Sequence, residues 1–260
     1  MVEGGKMRLW ITSKMTRIYR LESVRCNCYL IEKDTHYILV DTGAEAERKK
    51  IVKQLDRLGV HRIDAIFITC MHADHVGNAS FLQHAYHAKV YVHQDVQSTL
   101  QAGRCIMPGK TNLWTRAITL LLHKAPLYSE FREVEASYVY PLKEKKNGSM
   151  ATVKSLGKNQ EVDLVIMETK GAAEGSVSVL IDHEVAIVGD VMIHSLVGSI
   201  IPSNEREQEV ILDSWKRLLS TGCQIFLPGH GRSIKRRLLA ETYSAYRSRD
   251  VKITRKNSEF

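Results

Sequence analysis

The sequence lacks the long apolar run of a membrane-spanning helix, and it is poor in cysteine and proline. Five of its 260 residues are cysteine and five are proline. An odd number of cysteines indicates no disulfide framework, so we expect a reducing, cytoplasmic setting. No stretch approaches the roughly 18 apolar residues that a membrane helix needs. The apolar run Leu9–Ile11 lies between Arg8 and Lys14, so we predict no secretory signal near the N-terminus.

Acidic residues are in the minority, and the excess of positive charge is concentrated near the C-terminus. The chain has 37 Lys+Arg against 29 Asp+Glu, a formal net charge of +8. Residues Arg232–Phe260 hold nine basic and three acidic residues, a net charge of +6. This charge is typical of one terminal helix with a solvated Arg/Lys face, and it lacks the interleaved aromatic residues of single-strand binders. We therefore favour a small-molecule substrate over nucleic acid as the partner.

Predicted strands and helices alternate along the chain in two comparable halves. The first half has predicted strands at 27–31, 36–40, 63–69 and 89–92, with helices at 44–58 and 78–87. The second half has predicted strands at 176–181, 184–188 and 224–227, with helices at 205–220 and 234–256. No Pro/Gly/Ser-rich linker separates the halves. The pattern therefore predicts one α/β domain over residues 1–260, built from two packed halves.

Residues 94–137 interrupt this alternation and are predicted to form a helical insertion. Five apolar residues recur there at helical spacing, before Pro126: Trp114, Ile118, Leu121, Leu122 and Ala125. This stripe packs onto the core of its own domain, closes over an apolar substrate or forms a contact in a homo-oligomer. The sequence leaves these alternatives open.

Acids and histidines stand at four points where a predicted strand has just ended. These points are Asp41, the loop Cys70–His75, Asp190 and His230. Strand ends are where α/β sheets build sites, and Cys, His and Asp together are typical metal ligands. If the loop is extended, Cys70, His72 and Asp74 share one side and His75 lies on the other, so that one loop reaches two metal positions.

Each of these residues also has a purely structural interpretation. Asp41 before Thr-Gly is typical of a turn. Asp190 is a candidate helix cap, and His230 is a candidate loop histidine. The coincidence of all four points in one chain favours a metal site.

The motifs at these points resemble those of the metallo-β-lactamase superfamily. The resemblance extends from Asn27 to Gly231 and rests on five segments: Val40-Asp-Thr-Gly43, Thr69-Cys-Met-His-Ala-Asp-His-Val-Gly-Asn78, Thr169-Lys-Gly-Ala-Ala-Glu-Gly-Ser176, Val188-Gly-Asp190 and Leu227-Pro-Gly-His-Gly231. It implies a four-layer αβ/βα sandwich. It also implies hydrolysis of an ester, thioester, lactone or phosphodiester by a metal-activated water.

Two positions depart from the family pattern. Cys70 stands in place of the first histidine of the H-x-H-x-D-H loop, and Ala172 stands in place of the histidine of the third motif. The resemblance then implies two ligand sets that share Asp190: an altered first site with His72 and Cys70, and an intact second site with Asp74, His75 and His230. We expect one zinc ion at the second site, although the same ligands suit iron or manganese.

Because the first site is altered, the roles of Asp74 and His72 and the function itself remain open. Asp74 is a candidate for orienting or deprotonating a water, and His72 is a candidate base or substrate contact. Glu174 and His183 are candidates for replacing the missing histidine. The alternatives to hydrolysis are a non-catalytic family member that binds a ligand or partner, and nucleic-acid processing, which the basic tail suggests.

Overall fold

Two seven-stranded β-sheets with helices on their outer faces form the part of the chain that the structure describes. In this computed structural model, that part comprises residues 7–105, 134, 137–139, 143–145, 148–153, 163–194, 200–202 and 207–257. No helix within these ranges is both long and apolar enough to cross a membrane.

The first sheet is built by the N-terminal half of the chain. Its strands follow one another in space as in sequence: β1 (Arg8–Ile11), β2 (Arg17–Leu21), β3 (Cys28–Lys33), β4 (His36–Val40), β5 (Ala65–Phe67), β6 (Lys89–Val92) and β7 (Ser137–Val139). The pairs from β1 to β4 are antiparallel and those from β4 to β7 are parallel. The helices of this half are α1 (Arg48–Arg57), α2 (Ala73–Val76), α3 (Ala79–Ala85) and α4 (Gln97–Gln101), with 3₁₀ turns at Glu45–Glu47 and Gln94–Val96.

The second sheet is built by the C-terminal half. Its strands are β8 (Lys143–Lys145), β9 (Gly148–Val153), β10 (Leu164–Glu168), β11 (Val177–Ile181), β12 (Val185–Ile193), β13 (Ile225–His230) and β14 (Ile234–Lys235), in the spatial order β14 to β8. The helices are α5 (Gln208–Leu219) and α6 (Arg236–Asn257). Strands β12 and β13 are parallel, because α5 carries the chain back between them.

Three buried apolar clusters define four layers. Successive side chains of a strand point to opposite faces of the sheet. Apolar strand residues therefore pack against the other sheet on one face and against helices on the other. Ile31 packs between the two sheets, whereas its neighbour Leu30 packs under α1. On the far side, Trp215 of α5 packs on the second sheet and is fully buried. The predicted four-layer αβ/βα sandwich is confirmed.

Strand β12 is longer than predicted, and this changes the position of Asp190. The predicted strand at 184–188 continues to Ile193, so Asp190 lies within a strand rather than after one. The pairing register with β13 shifts on both sides of Gly189, which has a φ of +53°. This β-bulge re-aims the Asp190 side chain.

Other predicted elements agree closely with the structure or lie beyond its described ranges. Helix α6 occupies most of the predicted range 234–256. Strand β1 was not predicted, because four residues carry little periodicity. Of the predicted insertion at 94–137, the described residues show the turn Gln94–Val96 and helix α4. The apolar stripe from Trp114 to Ala125 lies outside the described residues.

Candidate metal centre

The candidate centre lies at one end of the two sheets, where loops from both halves of the chain meet. Asp41 follows β4, and the loop Cys70–His75 follows β5. The second sheet contributes Asp190 from the bulge of β12 and His230 from the end of β13. The backbone N–H of Val177 donates to the carbonyl of Thr69 at 2.9 Å, which joins the two halves directly beside the loop.

Asp190 is the central carboxylate of this cluster, because three imidazoles surround it. Its Oδ2 lies 2.9 Å from Nδ1 of His72. Its Oδ1 lies 3.2 Å from Nε2 of His75 and 3.3 Å from Nε2 of His230. The indole N–H of Trp215 donates to the carbonyl of Val191 at 2.8 Å and so fixes the backbone beside the bulge.

The predicted ligands form two groups, and these share His75 rather than Asp190, the ligand that the resemblance gave as common to both. One group is Cys70, His72, His75 and Asp190, and the other is Asp74, His75 and His230, each with its ligand atoms within 4.8 Å of one another. The predicted division of the loop, with Cys70, His72 and Asp74 on one side, is wrong. Helix α2 begins at Ala73, so the chain turns and places His75 beside His72 instead of opposite it.

Two buried atoms at the centre of the cluster have no hydrogen-bond partner among the residues that the structure describes. They are Nε2 of His75 and Oδ1 of Asp190. Buried polar atoms without partners are rare in proteins, since each is destabilising by about 1–3 kcal/mol. An imidazole nitrogen and a carboxylate oxygen facing one another at 3.2 Å fit a shared divalent cation.

The orientation of His75 is set by Asp41. Oδ2 of Asp41 lies 2.8 Å from Nδ1 of His75, so the other ring nitrogen is directed toward Asp190. The same carboxylate accepts hydrogen bonds from the backbone N–H and the hydroxyl of Thr69. Asp41 has a φ of +62°, a left-handed conformation that Asp tolerates better than most residues. A carboxylate behind a ligating histidine fixes its tautomer and raises its basicity.

Cys26 is a further neighbour of this pair that sequence reasoning missed. Cys26 and Cys28 are both buried. However, Sγ of Cys26 lies within 4.8 Å of the Asp41 carboxylate and a His75 ring nitrogen. Burial raises the pKa of Cys26 well above its usual value, so this thiol remains protonated. Sequence spacing carries no signal for this contact, because Cys26 and His75 are far apart in the chain.

The loop that carries His230 is held by residues of the first sheet. The backbone N–H of Asn27 donates to the carbonyl of Gly229, and its side-chain amide donates to the carbonyls of Pro228 and Gly231. The hydroxyl of Tyr29 also donates to the carbonyl of Pro228, at 2.8 Å. These bonds cross between the two halves of the chain and position His230 against Asp190.

The charges of the cluster favour a bound cation. Burial opposes the charged form of Asp190, but His75 and His230 hold the pKa of its carboxyl well below the usual value. Burial also opposes the charged form of His72, but Cys70 and Asp190 raise its pKa to about 10. Because His75 and His72 outweigh burial at Cys70, the pKa of this thiol is lowered. A cation replaces the protons that these imidazoles otherwise hold.

The remaining candidate residues lie around this cluster or away from it. Ala172 lies in the loop after β10, where Ser176 closes a turn with Ala173.

His183 does not replace the missing histidine of the first site, as the sequence allowed. It lies in the turn between β11 and β12, with its Nε2 3.8 Å from Oδ1 of Asp163. That turn is at the opposite end of β12 from the bulge. Glu174, the other candidate, is exposed and has no part in the two ligand groups.

His194 is a second residue that sequence reasoning missed. Its backbone N–H donates to the carbonyl of His230 at 3.0 Å, and its buried Nδ1 has no hydrogen-bond partner within the described ranges. The carbonyl of His194 lies so close to Gly231 that a Cβ at that position would approach it to 2.1 Å. His194 therefore packs behind the His230 loop.

The comparisons with known proteins agree with this geometry. A family model described as the metallo-beta-lactamase superfamily matches residues 22–232. A solved archaeal metallo-beta-lactamase superfamily protein from Sulfolobus tokodaii is 19% identical, with a TM-score of 0.56, over 85% of this chain and 80% of that one. The metallo-beta-lactamase MIM-1 from Novosphingobium pentaromativorans is 16% identical, with a TM-score of 0.61, over 93% and 89% of the two chains. At this identity the likeness shows the fold alone.

A similar protein by sequence matches over a much shorter stretch. The uncharacterized protein YobT of Bacillus subtilis (strain 168) is 33% identical over 76 residues. The match covers 29% of this chain and 32% of that protein. The family model therefore supplies the assignment, and it confirms the resemblance that the motifs indicated.

Proposed function

The chain belongs to the metallo-β-lactamase superfamily, whose members typically bind metal ions, and we propose that it is a hydrolase that uses one zinc ion. Asp74, His75 and His230 would hold the ion, with Asp190 as a fourth ligand. Iron or manganese would suit the same nitrogen and oxygen donors. The observation that carries the proposal is the facing pair of buried atoms without partners, Nε2 of His75 and Oδ1 of Asp190.

The exposure of the ligands supports an open coordination position. The side chain of His75 is 0% exposed, whereas those of His230 and Asp74 are 35% and 28% exposed. The buried side of the group therefore anchors a cation, and the accessible side faces a substrate. A catalytic zinc site needs such an open position, whereas a structural site is closed by protein ligands.

Asp74 is the residue that we propose for handling the attacking water. A bound zinc ion supplies an acidified water and an electrophile for developing negative charge. Oδ2 of Asp74 lies 3.4 Å from Nε2 of His230 and is accessible from outside. From this position the Asp74 carboxylate would accept a hydrogen bond from the water and hold it toward the substrate carbonyl or phosphoryl group.

Because the first ligand group is incomplete, we give His72 a role other than that of a metal ligand. His72 and Cys70 lie against Oδ2 of Asp190, at 2.9 Å and 3.9 Å. With alanine at position 172, this group has only three residues besides the shared His75 to attract a second ion. We propose that His72 acts as a substrate contact, or as a base once a bound cation has displaced its proton, and that Cys70 binds a second ion weakly.

The substrate class that we propose is a small molecule with an ester, thioester, lactone or phosphodiester bond. We propose the cytoplasm as the setting, since the five cysteines, all within the described residues, form no disulfide. We also propose that residues 1–260 form one domain. The two ligand groups draw on both halves of the chain, so neither half would carry the site alone.

The test combines metal content with hydrolysis of a substrate panel. Protein from cells grown with zinc should contain about one tightly bound metal by elemental analysis and should hydrolyse a member of the panel. Asp74→Asn and His230→Gln should abolish activity, and His230→Gln should also reduce the metal content. His61→Gln is the matched control, because His61 is exposed and lies away from both ligand groups.

Two results would contradict the proposal. Near-zero metal after growth in zinc, iron or manganese would instead favour a non-catalytic member that binds a ligand or partner. Fully metallated protein that hydrolyses no ester, thioester, lactone, β-lactam or phosphodiester would exclude the proposed reaction class.

A further inference from the structure

Two arginines lie side by side at the edge of the first sheet, next to the loop that carries His230. Arg8 of β1 is the Cα partner of Arg20 of β2, so the two side chains share one face of the sheet. Arg20 is in turn the Cα partner of Tyr29, which packs between the sheets. The Arg8–Arg20 pair therefore extends the inter-sheet layer outward.

Arg20 directly contacts the loop that carries His230. Its Nη1 donates to the carbonyl of Gly231, with a distance of 3.4 Å. Gly231 follows His230, and the Cα atoms of consecutive residues are about 3.8 Å apart. The Arg20 guanidinium thus contacts the residue that directly follows the ligand His230.

Neither arginine has an acidic partner among the residues that the structure describes. Other arginines of this region do: Nη1 of Arg17 lies 3.2 Å from Glu32, and Nη2 of Arg48 lies 2.8 Å from Glu45. Arg20 makes one long hydrogen bond to a carbonyl and retains further N–H donors. A guanidinium presents five such donors in a fork that matches the oxygens of a carboxylate or phosphate.

The surroundings of Arg20 disfavour the charged form of its guanidinium unless an anion is bound. Arg20 is half-buried, and burial lowers the pKa of its guanidinium. The like charge of Arg8 acts in the same direction, against a favourable contribution from Glu22. An anion bound between the two guanidiniums would offset both effects.

We propose that Arg20, with Arg8 beside it, recognises an oxyanion on the substrate, a carboxylate or a phosphate, at a distance from the bond that is cleaved. The inference deepens the proposed function and rests on it, since it assigns an anionic member of the same substrate class. The neighbouring carbonyl of Gly231 keeps the guanidinium oriented. Arg20 is in this respect a specificity-determining residue, whereas the metal ligands act on the reacting bond.

The experiment compares two esters with the same scissile bond and similar length. 4-Nitrophenyl butyrate is neutral, and the 4-nitrophenyl monoester of succinic acid has a free carboxylate. Arg20→Gln should raise KM for the succinate ester about tenfold, as expected for the loss of a charge-assisted hydrogen bond. It should leave KM for the butyrate ester and both kcat values within about twofold. Arg8→Gln should have a smaller effect in the same direction, since Arg8 is exposed.

Arg17→Gln is the matched control, because Arg17 lies on the same strand and already pairs with Glu32. It should change neither KM. Equal changes for the two esters in Arg20→Gln would show a structural role of the Gly231 contact and overturn the proposal. So would identical kinetics in Arg20→Gln and the unmodified chain.

A binding measurement separates failure of this inference from failure of the proposed hydrolysis. If neither ester is hydrolysed, calorimetric titration of the metal-loaded protein with inorganic phosphate and with succinate tests the site alone. Weaker binding of either anion to Arg20→Gln, by about tenfold, supports the site and identifies the oxyanion. Unchanged binding of both anions overturns it. Weaker binding of a single-stranded oligonucleotide without any change for the small anions would also overturn it, in favour of nucleic acid.

Discussion

Asp41 holds His75 from behind: Oδ2 of Asp41 lies 2.8 Å from Nδ1 of His75, and both side chains are buried. The contact joins the end of β4 to helix α2 and directs the other ring nitrogen of His75 toward Asp190. Because His75 belongs to both ligand groups, this one contact orients the residue that the whole centre shares.

Removing the charge of Asp41 should weaken metal binding. Asp41→Asn keeps the shape and tolerates the left-handed backbone, but it no longer favours the required His75 tautomer. We expect metal affinity to fall by about 10- to 100-fold, measured by competition with a chromogenic chelator. Asp34→Asn is the control, because Asp34 also has a positive φ but is exposed in a turn. Equal affinities for Asp41→Asn and the unmodified protein would exclude this role.

A methyl group at Gly229 should disturb the metal centre. A Cβ at this position would lie 2.6 Å from Cε1 of His75 and 2.7 Å from Oδ1 of Asp190. Gly229→Ala should therefore lower metal content, measured by elemental analysis, because two ligands must move. Gly59→Ala is the contrast, since Gly59 has nothing within 4 Å but a φ of +71°. It should lower the free energy of unfolding by about 1 kcal/mol and leave metal content unchanged.

Cys70 should bind a second ion weakly through its thiolate. Cobalt(II) added beyond one equivalent should produce a near-ultraviolet charge-transfer band of a thiolate-bound ion. Cys70→Ser should lose this band, and Cys223→Ser, which removes a buried thiol on the helix side of the second sheet, should retain it. A band that survives in Cys70→Ser would assign the ligand to another cysteine.

Restoring both histidines should restore the first site. We expect Cys70→His combined with Ala172→His to raise the tightly bound metal from one ion to two and to increase the hydrolysis rate. Elemental analysis and steady-state kinetics on the same samples measure this outcome, and each single variant serves as a control. Two bound ions without faster hydrolysis would show that metal occupancy does not limit the natural site.

Metal affinity should increase with pH. Despite burial, neighbouring Cys70 and Asp190 raise the pKa of His72 to about 10, and nearby negative groups also raise the pKa values of His75 and His230. His72 therefore holds a proton in the metal-free protein at neutral pH, and His75 and His230 keep theirs to a higher pH than an unperturbed histidine does. A cation must displace these protons. Calorimetry in buffers of different ionisation enthalpy should therefore show proton release on binding.

The free energy of unfolding of the metal-free protein should decrease as the pH rises. A histidine with a raised pKa stabilises the fold fully below its unfolded value, about 6.5. That contribution is lost as the pH rises through the folded value, about 10 for His72. Chemical denaturation across this window should show the metal-free protein losing stability while the metal-loaded protein does not. Parallel pH profiles for the two forms would contradict proton–metal competition.

Short-range sequence patterns were sufficient for the longer helices, for several strands of each sheet and for most of the ligands. Apolar periodicity predicted α1, α3, α5 and α6, because an amphipathic helix repeats its buried face within one stretch of chain. The loop Cys70–His75 was recognisable for a similar reason, since several ligand types lie within six residues. The local pattern did not predict helix α2, which begins at Ala73 where we expected extended chain.

The sequence by itself determined the α/β sandwich, the family and the residue types available for a metal, since these follow from local periodicity and from motifs in a set order. Only the tertiary structure decided that Asp41 orients His75 and that Asn27 and Tyr29 hold the His230 loop. It also decided that Arg8 and Arg20 lie together with no acidic partner in the described part of the chain. These relationships join residues that are far apart in sequence, and they depend on strand register and on the β12 bulge. Neither leaves a periodic signal in the chain.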